Sequence, residues 1–144
     1  MYCQVGNSLE HWTDKYLNIP YKPKGRSMQG LDCWGLVQAI YGQERFIILP
    51  GFLEDYDDIS RSQVSTAISK NMRGWFEVEK GQEQAFDVVV LNIRGLPTHV
   101  GVLVDPERKL FIHVSPDSFV TIERLDSKKW YNRILAYMRL DLKK

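Results

Sequence analysis

The sequence predicts an α+β fold, in which helices from the N-terminal half pack on an antiparallel β-sheet formed by the C-terminal half. Apolar residues recur at helical spacing in the first half of the chain. Short β-branched runs, separated by turn residues, follow in the second half. The length of 144 residues is that of one ordinary domain, so residues 1–144 are interpreted as a single domain.

The first predicted helix begins at Asn7 or Ser8, because either side chain can cap a helix N-terminus. It ends before Pro20, since a residue that precedes proline disfavours the α conformation. Its apolar stripe consists of Leu9, Trp12 and Tyr16. The loop that follows, residues 20–32, contains two prolines and two glycines and is predicted to be irregular.

The second predicted helix begins at Asp32 or Cys33 and ends at Gly42, because glycine commonly terminates helices. Its apolar residues are Leu36, Val37, Ala39 and Ile40. A third helix is predicted over about Ser60–Met72, where an apolar stripe recurs at helical spacing. Such a stripe is interpreted as part of the core.

Five β-strands are predicted in the second half of the chain. They cover residues 86–91, 99–104, 110–114, 120–122 and 134–140. Residues 105–109, Asp-Pro-Glu-Arg-Lys, have turn chemistry. The second and third strands are therefore expected to form an antiparallel hairpin.

The composition argues against several classes of protein. A formal net charge of +1 is unlike the clustered basic face of duplex-binding proteins, so no nucleic-acid partner is expected. The acidic run from Glu54 to Asp58 is interpreted as a solvated loop. No apolar stretch approaches the roughly 20 residues that span a bilayer, so no membrane insertion is expected. The N-terminus lacks a basic segment followed by an apolar run, so no signal peptide is expected.

Cys33 is the candidate nucleophile. The two cysteines, Cys3 and Cys33, are too few for a disulfide framework, and they form no Cys-x-x-Cys pair. Cys3 lies near the terminus and is interpreted as incidental. Cys33 lies where a glycine-containing loop enters a helix, and the unpaired N–H groups and dipole of a helix N-terminus favour a thiolate. On position alone, a buried and inert cysteine is an equally good interpretation.

His99 and His113 are predicted to share one face of the hairpin. If Val104 pairs with Leu110 across the turn, His113 lies opposite Gly101. Side chains of a strand alternate with period two, so the two imidazoles are then diagonal neighbours. A register slip of one residue would place them on opposite faces.

Two imidazoles and a thiol suggest a catalytic arrangement of Cys33, His99 and His113. His99 would take the thiol proton, and His113 would fix the tautomer and orientation of His99. This arrangement needs no metal and no cofactor. A zinc site formed by the same three residues is the competing interpretation, although their spacing matches no usual zinc pattern. The remaining histidine, His11, receives no functional interpretation.

Three ordered sequence blocks resemble the NlpC/P60 cysteine peptidases. Residues 30–37, Gly-Leu-Asp-Cys-Trp-Gly-Leu-Val, resemble the nucleophile motif, and residues 20–21, Pro-Tyr, resemble the tyrosine-containing approach to it. Residues 86–91 followed by residues 98–102 resemble the segment that bears the base. Residues 111–113, Phe-Ile-His, fall where the family places its third, polar catalytic residue.

The sequence departs from the family pattern at two places. Trp34 directly follows the nucleophile, where the family usually has serine, and the usual double glycine before the nucleophile is reduced to Lys24-Gly25. The Trp34 variant, together with the closing segment 133–140, resembles the bacteriophage and prophage branch. Members of that branch accompany tail assembly or act as tail-associated cell-wall peptidases.

The resemblance implies a papain-like fold in one catalytic domain, with the nucleophile on a helix packed against an antiparallel sheet. It implies hydrolysis of peptidoglycan stem peptides, often between D-glutamate and the diamino acid. Tyr21, Asp32 and Trp34 become candidate substrate-binding or supporting residues. Tyr21 would position the nucleophile or the substrate, Asp32 would orient the loop or cap the helix, and the backbone N–H of Cys33 would be an oxyanion donor.

The resemblance also implies phage tail proteins as partners. The protein would be made in the bacterial cytoplasm and act at the cell wall as part of a tail or related assembly. Two other functions remain open. One is a structural component of a phage tail that retains the fold, and the other is an amidase or acyltransferase on the same scaffold.

Overall fold

The computed structural model describes residues 2–5, 8–49, 74–93 and 96–142, with the backbone alone for residues 2–5, 8–10 and 96–98. Its elements in chain order are β1 (Tyr2–Val5), β2 (Ser8–His11), β3 (Arg26–Ser27), β4 (Gly30–Leu31), α1 (Cys33–Glu44), β5 (Trp75–Val78), β6 (Val88–Ile93), β7 (Leu96–Asp105), β8 (Leu110–His113), β9 (Thr121–Arg124) and β10 (Ile134–Leu140). Helix α1 packs against a six-stranded antiparallel sheet with strand order β5-β10-β6-β7-β8-β9. This architecture confirms the predicted α+β fold. Within these described ranges, no helix is both long and apolar enough to cross a membrane.

Helix α1 begins where the sequence predicts and continues beyond Gly42 to Glu44. The N–H groups of Arg45 and Ile47 both donate to the carbonyl of Tyr41, which closes the last turn. Phe46, with φ of 57°, adopts the left-handed conformation that ends the helix. The prediction that the helix stops at Gly42 is therefore wrong by two residues, because a non-glycine residue takes the terminating conformation.

The first predicted helix is wrong. Residues 8–11 form strand β2, which pairs with β1 in an antiparallel hairpin. The chain then continues as separate turns, in which Asp14 N–H donates to the His11 carbonyl and Tyr16 N–H to the Thr13 carbonyl. The Asp14 carboxylate also accepts from the His11 N–H. Such side-chain to backbone bonds compete with helix formation, and they override the helical spacing of the apolar residues.

The third predicted helix, Ser60–Met72, and the acidic run Glu54–Asp58 lie outside the described residues. All five predicted strands of the second half correspond to sheet strands, although their bounds differ: the stretch 86–91 begins two residues before β6, and the stretch 120–122 begins one residue before β9. Strand β5, at the sheet edge, was not predicted. It is only four residues long and is held by pairing with β10 far along the chain.

The register of the β7–β8 hairpin agrees with the prediction in its interior. Val102 pairs with Ile112, which is the pairing that follows from the assumed register. Near the turn a bulge intervenes, so that Asp105 rather than Val104 pairs with Leu110. The bulge places the Asp105 carboxylate where it accepts from the N–H groups of the turn. The pairing inside the hairpin is unchanged by the bulge, so His99 and His113 lie on the same face of the sheet, as predicted.

Each face of the central strands carries its own apolar cluster. The first contains apolar side chains of helix α1 with alternate residues of the sheet: Leu36, Val37, Ile40, Val88, Val90, Val100, Val102, Ile112 and Val114. The second contains the intervening residues with two from later turns: Val89, Leu91, Leu103, Phe111, Leu125 and Trp130. The helix is thus fixed to one face by apolar burial, while the other face has a separate aromatic cover.

Candidate active site

Cys33 is the first residue of helix α1 and is partly exposed. Asp32 caps the helix, since its side chain accepts a 2.7 Å hydrogen bond from the Gly35 N–H. Gly35 is required at this point, because a Cβ there would collide with the carbonyl oxygen of Gly25 in the preceding loop. The loop therefore lies tightly against the first turn and holds the thiol at the positive end of the helix dipole.

An ion pair between Arg26 and Asp32 stabilises this end of helix α1. The Arg26 guanidinium donates to Asp32 Oδ1 at 2.6 Å and to the Gly25 carbonyl at 2.9 Å. The Asp32 carboxylate is almost completely buried, and it serves the ion pair and the helix cap with the same oxygen. Arg26 thus ties the glycine loop to the cap beside Cys33.

The two histidines of the hairpin are in direct contact. His99 Nε2 lies 2.8 Å from His113 Nδ1. Both residues are buried: His99 is 5% exposed and His113 is 1% exposed. His113 Nε2 in turn lies 2.6 Å from Glu123 Oε2 on the edge strand β9. Gly101 leaves room for this arrangement, since a Cβ there would lie 3.1 Å from His113 Cβ and 2.8 Å from the Phe111 ring.

Aromatic rings enclose the imidazole pair. Trp130 stacks on His99 at 5.6 Å between ring centroids, with an interplanar angle of 18°, and meets His113 edge-on. Phe111 stacks on the other imidazole, His113, at 4.3 Å. The rings exclude water from the hydrogen bond between the histidines, which strengthens it. Trp130 Nε1 has no acceptor in good geometry, although it lies near enough to Glu123 to affect its pKa.

Burial and neighbouring charge decide the protonation of this group. Burial, with His113 and Lys129 nearby, lowers the pKa of His99 to about 3. Burial also lowers the pKa of His113, against the opposing effect of the Glu123 carboxylate. Burial works to raise the pKa of Glu123, but the hydrogen bond from His113 and the contact with Trp130 outweigh it and leave that pKa lowered. At neutral pH both imidazoles are therefore neutral and Glu123 is ionised.

These charges assign the ring protons. An ionised carboxylate only accepts, so His113 Nε2 carries a proton and donates it to Glu123. His113 Nδ1 is then bare and accepts from the Nε2–H of His99. His99 Nδ1 is left bare, and this is the nitrogen that can accept a proton from a thiol.

The hydrogen-bonded set of the site consists of His99, His113 and Glu123, and Cys33 lies at the N-terminus of helix α1. Helix α1 contacts β7, the strand that carries His99. The helix packs on the face of β7 opposite to the imidazole pair, so a contact between the thiol and His99 would form at the helix end and not along its packed side.

The zinc interpretation fits the site less well than the catalytic one. His99 Nε2 and His113 Nδ1 are joined to each other by a direct hydrogen bond, so neither of these two nitrogens is turned toward a metal position. Among the residues with described side chains, no group of three His, Cys, Asp or Glu residues could hold a metal ion.

The supporting residues predicted from sequence lie in the segment around Cys33. Tyr21 is partly buried, forms a bridge with Leu31 and donates its N–H to the Ser118 carbonyl. Trp34 is buried and meets Trp75 edge-on at 6.3 Å, so its ring packs in the core. Asp32 caps the helix, as one of its predicted roles required.

Sequence reasoning missed Glu123, Trp130 and Arg26. Glu123 shares a face with His113, because Phe111 pairs with Glu123 and side chains alternate along both strands. Applying the same alternation rule to the next strand pair, β8–β9, would therefore have placed Glu123 beside His113. Trp130 lies in a turn far along the chain and had no comparable signal.

The model of the NlpC/P60 family matches residues 18–139. No curated protein matches the chain. Among solved structures, an NlpC/P60 family protein from Bacillus cereus is 21% identical with a TM-score of 0.64, over 86% of this chain and 36% of its own. A lipoprotein-like NLP/P60 family protein from Staphylococcus aureus is 22% identical with a TM-score of 0.62, over 88% of this chain and 38% of its own. The NlpC/p60 domain of the peptidoglycan hydrolase SagA is 21% identical with a TM-score of 0.58, over 87% of this chain and 91% of its own. The chain thus spans little more than a third of the first two proteins, and these likenesses establish the fold.

Proposed function

Since this chain belongs to the NlpC/P60 family, we propose that it is a cysteine peptidase that cleaves a peptide bond in the stem peptides of bacterial peptidoglycan. The observation that carries the proposal is the buried hydrogen bond between His99 and His113. It leaves one bare ring nitrogen on His99, as a general base for a thiol requires. The name of the similar SagA domain, a peptidoglycan hydrolase, supports the substrate class.

The proposed reaction begins when the Cys33 thiol transfers its proton to His99 Nδ1. The thiolate attacks the carbonyl carbon, and the backbone N–H of Cys33, with the helix dipole, stabilises the oxyanion that forms. The imidazolium of His99 then protonates the leaving amine, and an acyl-enzyme remains on Cys33. A water molecule, deprotonated by His99, hydrolyses the acyl-enzyme and restores the thiol.

Finer features of the proposal rest on the sequence resemblance. The scissile bond is proposed to lie between D-glutamate and the diamino acid. The proposed setting is the cell wall, which the protein reaches with a phage or prophage tail, and the departure at Trp34 is the feature that favours that branch.

The test is digestion of purified peptidoglycan by the wild type and by Cys33→Ala, with the released fragments identified by mass. The proposal expects new peptide termini with the wild type alone. The fragment masses identify the scissile bond. A wild type that releases no more than Cys33→Ala would contradict a peptidase and leave the tail-component function as the better account.

A further inference from the structure

The hydrogen-bonded set at the imidazole pair ends in a carboxylate. Glu123 lies on the edge strand β9, one strand beyond His113, and its side chain is 30% exposed. Its Oε2 accepts from His113 Nε2 at 2.6 Å. Lys129 Nζ lies 4.0 Å from the same oxygen and favours the ionised form.

We propose that Glu123 is a positioning residue that acts through His113 to hold His99 in the one tautomer able to accept the thiol proton. This inference rests on the proposed function and adds a residue to its machinery. An imidazole pair without a charged terminus has two possible directions for its hydrogen bonds. In the reverse direction His99 would carry its proton on Nδ1, the nitrogen that must be bare to accept the thiol proton, and could not act as a base.

The carboxylate removes that ambiguity because it has no proton to give. The pKa of Glu123 is lowered, so it stays ionised at neutral pH. It also favours the charge that develops on His99 during proton transfer, since that charge is shared across the hydrogen bond to His113. A neutral amide at the same position could either accept from His113 or donate to it, and would lose both effects.

The experiment compares Glu123→Gln and Glu123→Asp with the wild type, and uses Glu77→Gln as a matched control. Glu77 is an exposed residue of β5, at the opposite edge of the same sheet. We expect Glu123→Gln to lower the maximal rate of peptidoglycan cleavage roughly 10- to 100-fold, with KM nearly unchanged. Glu123→Asp, which keeps a carboxylate, should fall between Glu123→Gln and the wild type, and Glu77→Gln should match the wild type.

A second readout does not depend on activity. Nitrogen NMR of 15N-histidine-labelled protein reports which ring nitrogen of His99 and His113 carries the proton. The wild type and Glu123→Asp should show both protons on Nε2, and Glu123→Gln should show a population with protons on Nδ1. Unchanged nitrogen signals in Glu123→Gln, or an unchanged rate despite altered signals, would overturn the positioning role. If the wild type cleaves no peptidoglycan, the proposed function fails while the nitrogen signals still decide the role of Glu123.

Discussion

His99 and His113 are joined through Nε2 and Nδ1 at 2.8 Å, beneath the ring of Trp130. This hydrogen bond occupies Nε2 of His99 and leaves Nδ1 available to accept a proton. Because the pair is buried and neutral, the proposed reaction uses His99 as a base that receives a proton, and it requires no preformed imidazolium.

Replacing His99 with alanine should abolish turnover and leave the fold intact. The loss should reach roughly 100- to 10,000-fold in the maximal rate, since that is the usual contribution of a general base. Peptidoglycan digestion measures the rate, and circular dichroism checks the fold. His11→Ala is the matched control, because His11 is the last residue of β2 and bonds to Thr13. A His99→Ala enzyme with near wild-type rate would remove His99 as the base.

The Cys33 thiol should titrate below the pKa of about 8.5 of a free cysteine, because the N-terminus of helix α1 stabilises the thiolate. The rate of alkylation by iodoacetamide as a function of pH measures this titration. Cys3 supplies the internal reference, read separately in Cys33→Ala. A profile for Cys33 that coincides with that of Cys3 would count heavily against the proposed mechanism.

Removing the cap of helix α1 should destabilise the protein at the helix end that carries Cys33. Asp32→Ala should lower the free energy of unfolding by at least about 1 kcal/mol, the usual value of an N-cap, because Arg26 also loses its buried partner. Asp32→Asn should lose less, since asparagine also caps helices. Denaturant unfolding gives the values, and Asp126→Ala, at an exposed ion pair with Arg124, should leave the midpoint nearly unchanged. Equal losses in Asp32→Ala and Asp126→Ala would show that the cap contributes little.

Helix α1 and the face shared by the two histidines could be predicted because both depend on local rules. A cap residue before Cys33 and a helical apolar pattern identify α1, and alternation along a hairpin of known turn identifies the face of His99 and His113. The β7–β8 bulge changes only the pairing next to the turn, so the predicted face of the two histidines is correct.

Other features depend on partners that are distant in the sequence. The segment before Pro20 has helical spacing, yet pairing with β1 and local bonds around Asp14 give a strand and turns. Trp130 covers the imidazoles from a turn after β9, and Arg26 reaches Asp32 across a loop. Local pattern carries no information on such contacts, because they are decided by tertiary packing.

Stability should fall as the pH drops below about 6.5. The pKa of His99 is about 3 in the folded protein and about 6.5 in the unfolded chain, so between these values the unfolded state binds more protons. Stability therefore rises with pH across this window, with a slope of up to about 1.4 kcal/mol per pH unit for each such group. Denaturant unfolding from pH 4 to 7 measures the slope, and His99→Gln should flatten it. An equal slope in His99→Gln would assign the effect to other groups.

The role of His113 can be tested by side chains that reproduce its two hydrogen bonds. Asparagine and glutamine each offer an oxygen that accepts from His99 and an N–H group that donates to Glu123. His113→Asn and His113→Gln should therefore keep measurable activity. His113→Ala should lose much more, because it leaves the buried Nε2–H of His99 without an acceptor.

The same three variants separate an orienting role from a zinc site when they are assayed with and without a chelator. An amide is a poor substitute for a zinc-ligating imidazole, so a zinc site predicts chelator-sensitive activity and an equal loss in every variant. A positioning role predicts chelator-resistant activity and a graded loss, with alanine the most affected. Equal activity in all three variants would make His113 structural. Because Glu123 reaches His99 only through His113, that result would leave Cys33 and His99 as a dyad and would also remove the proposed role of Glu123.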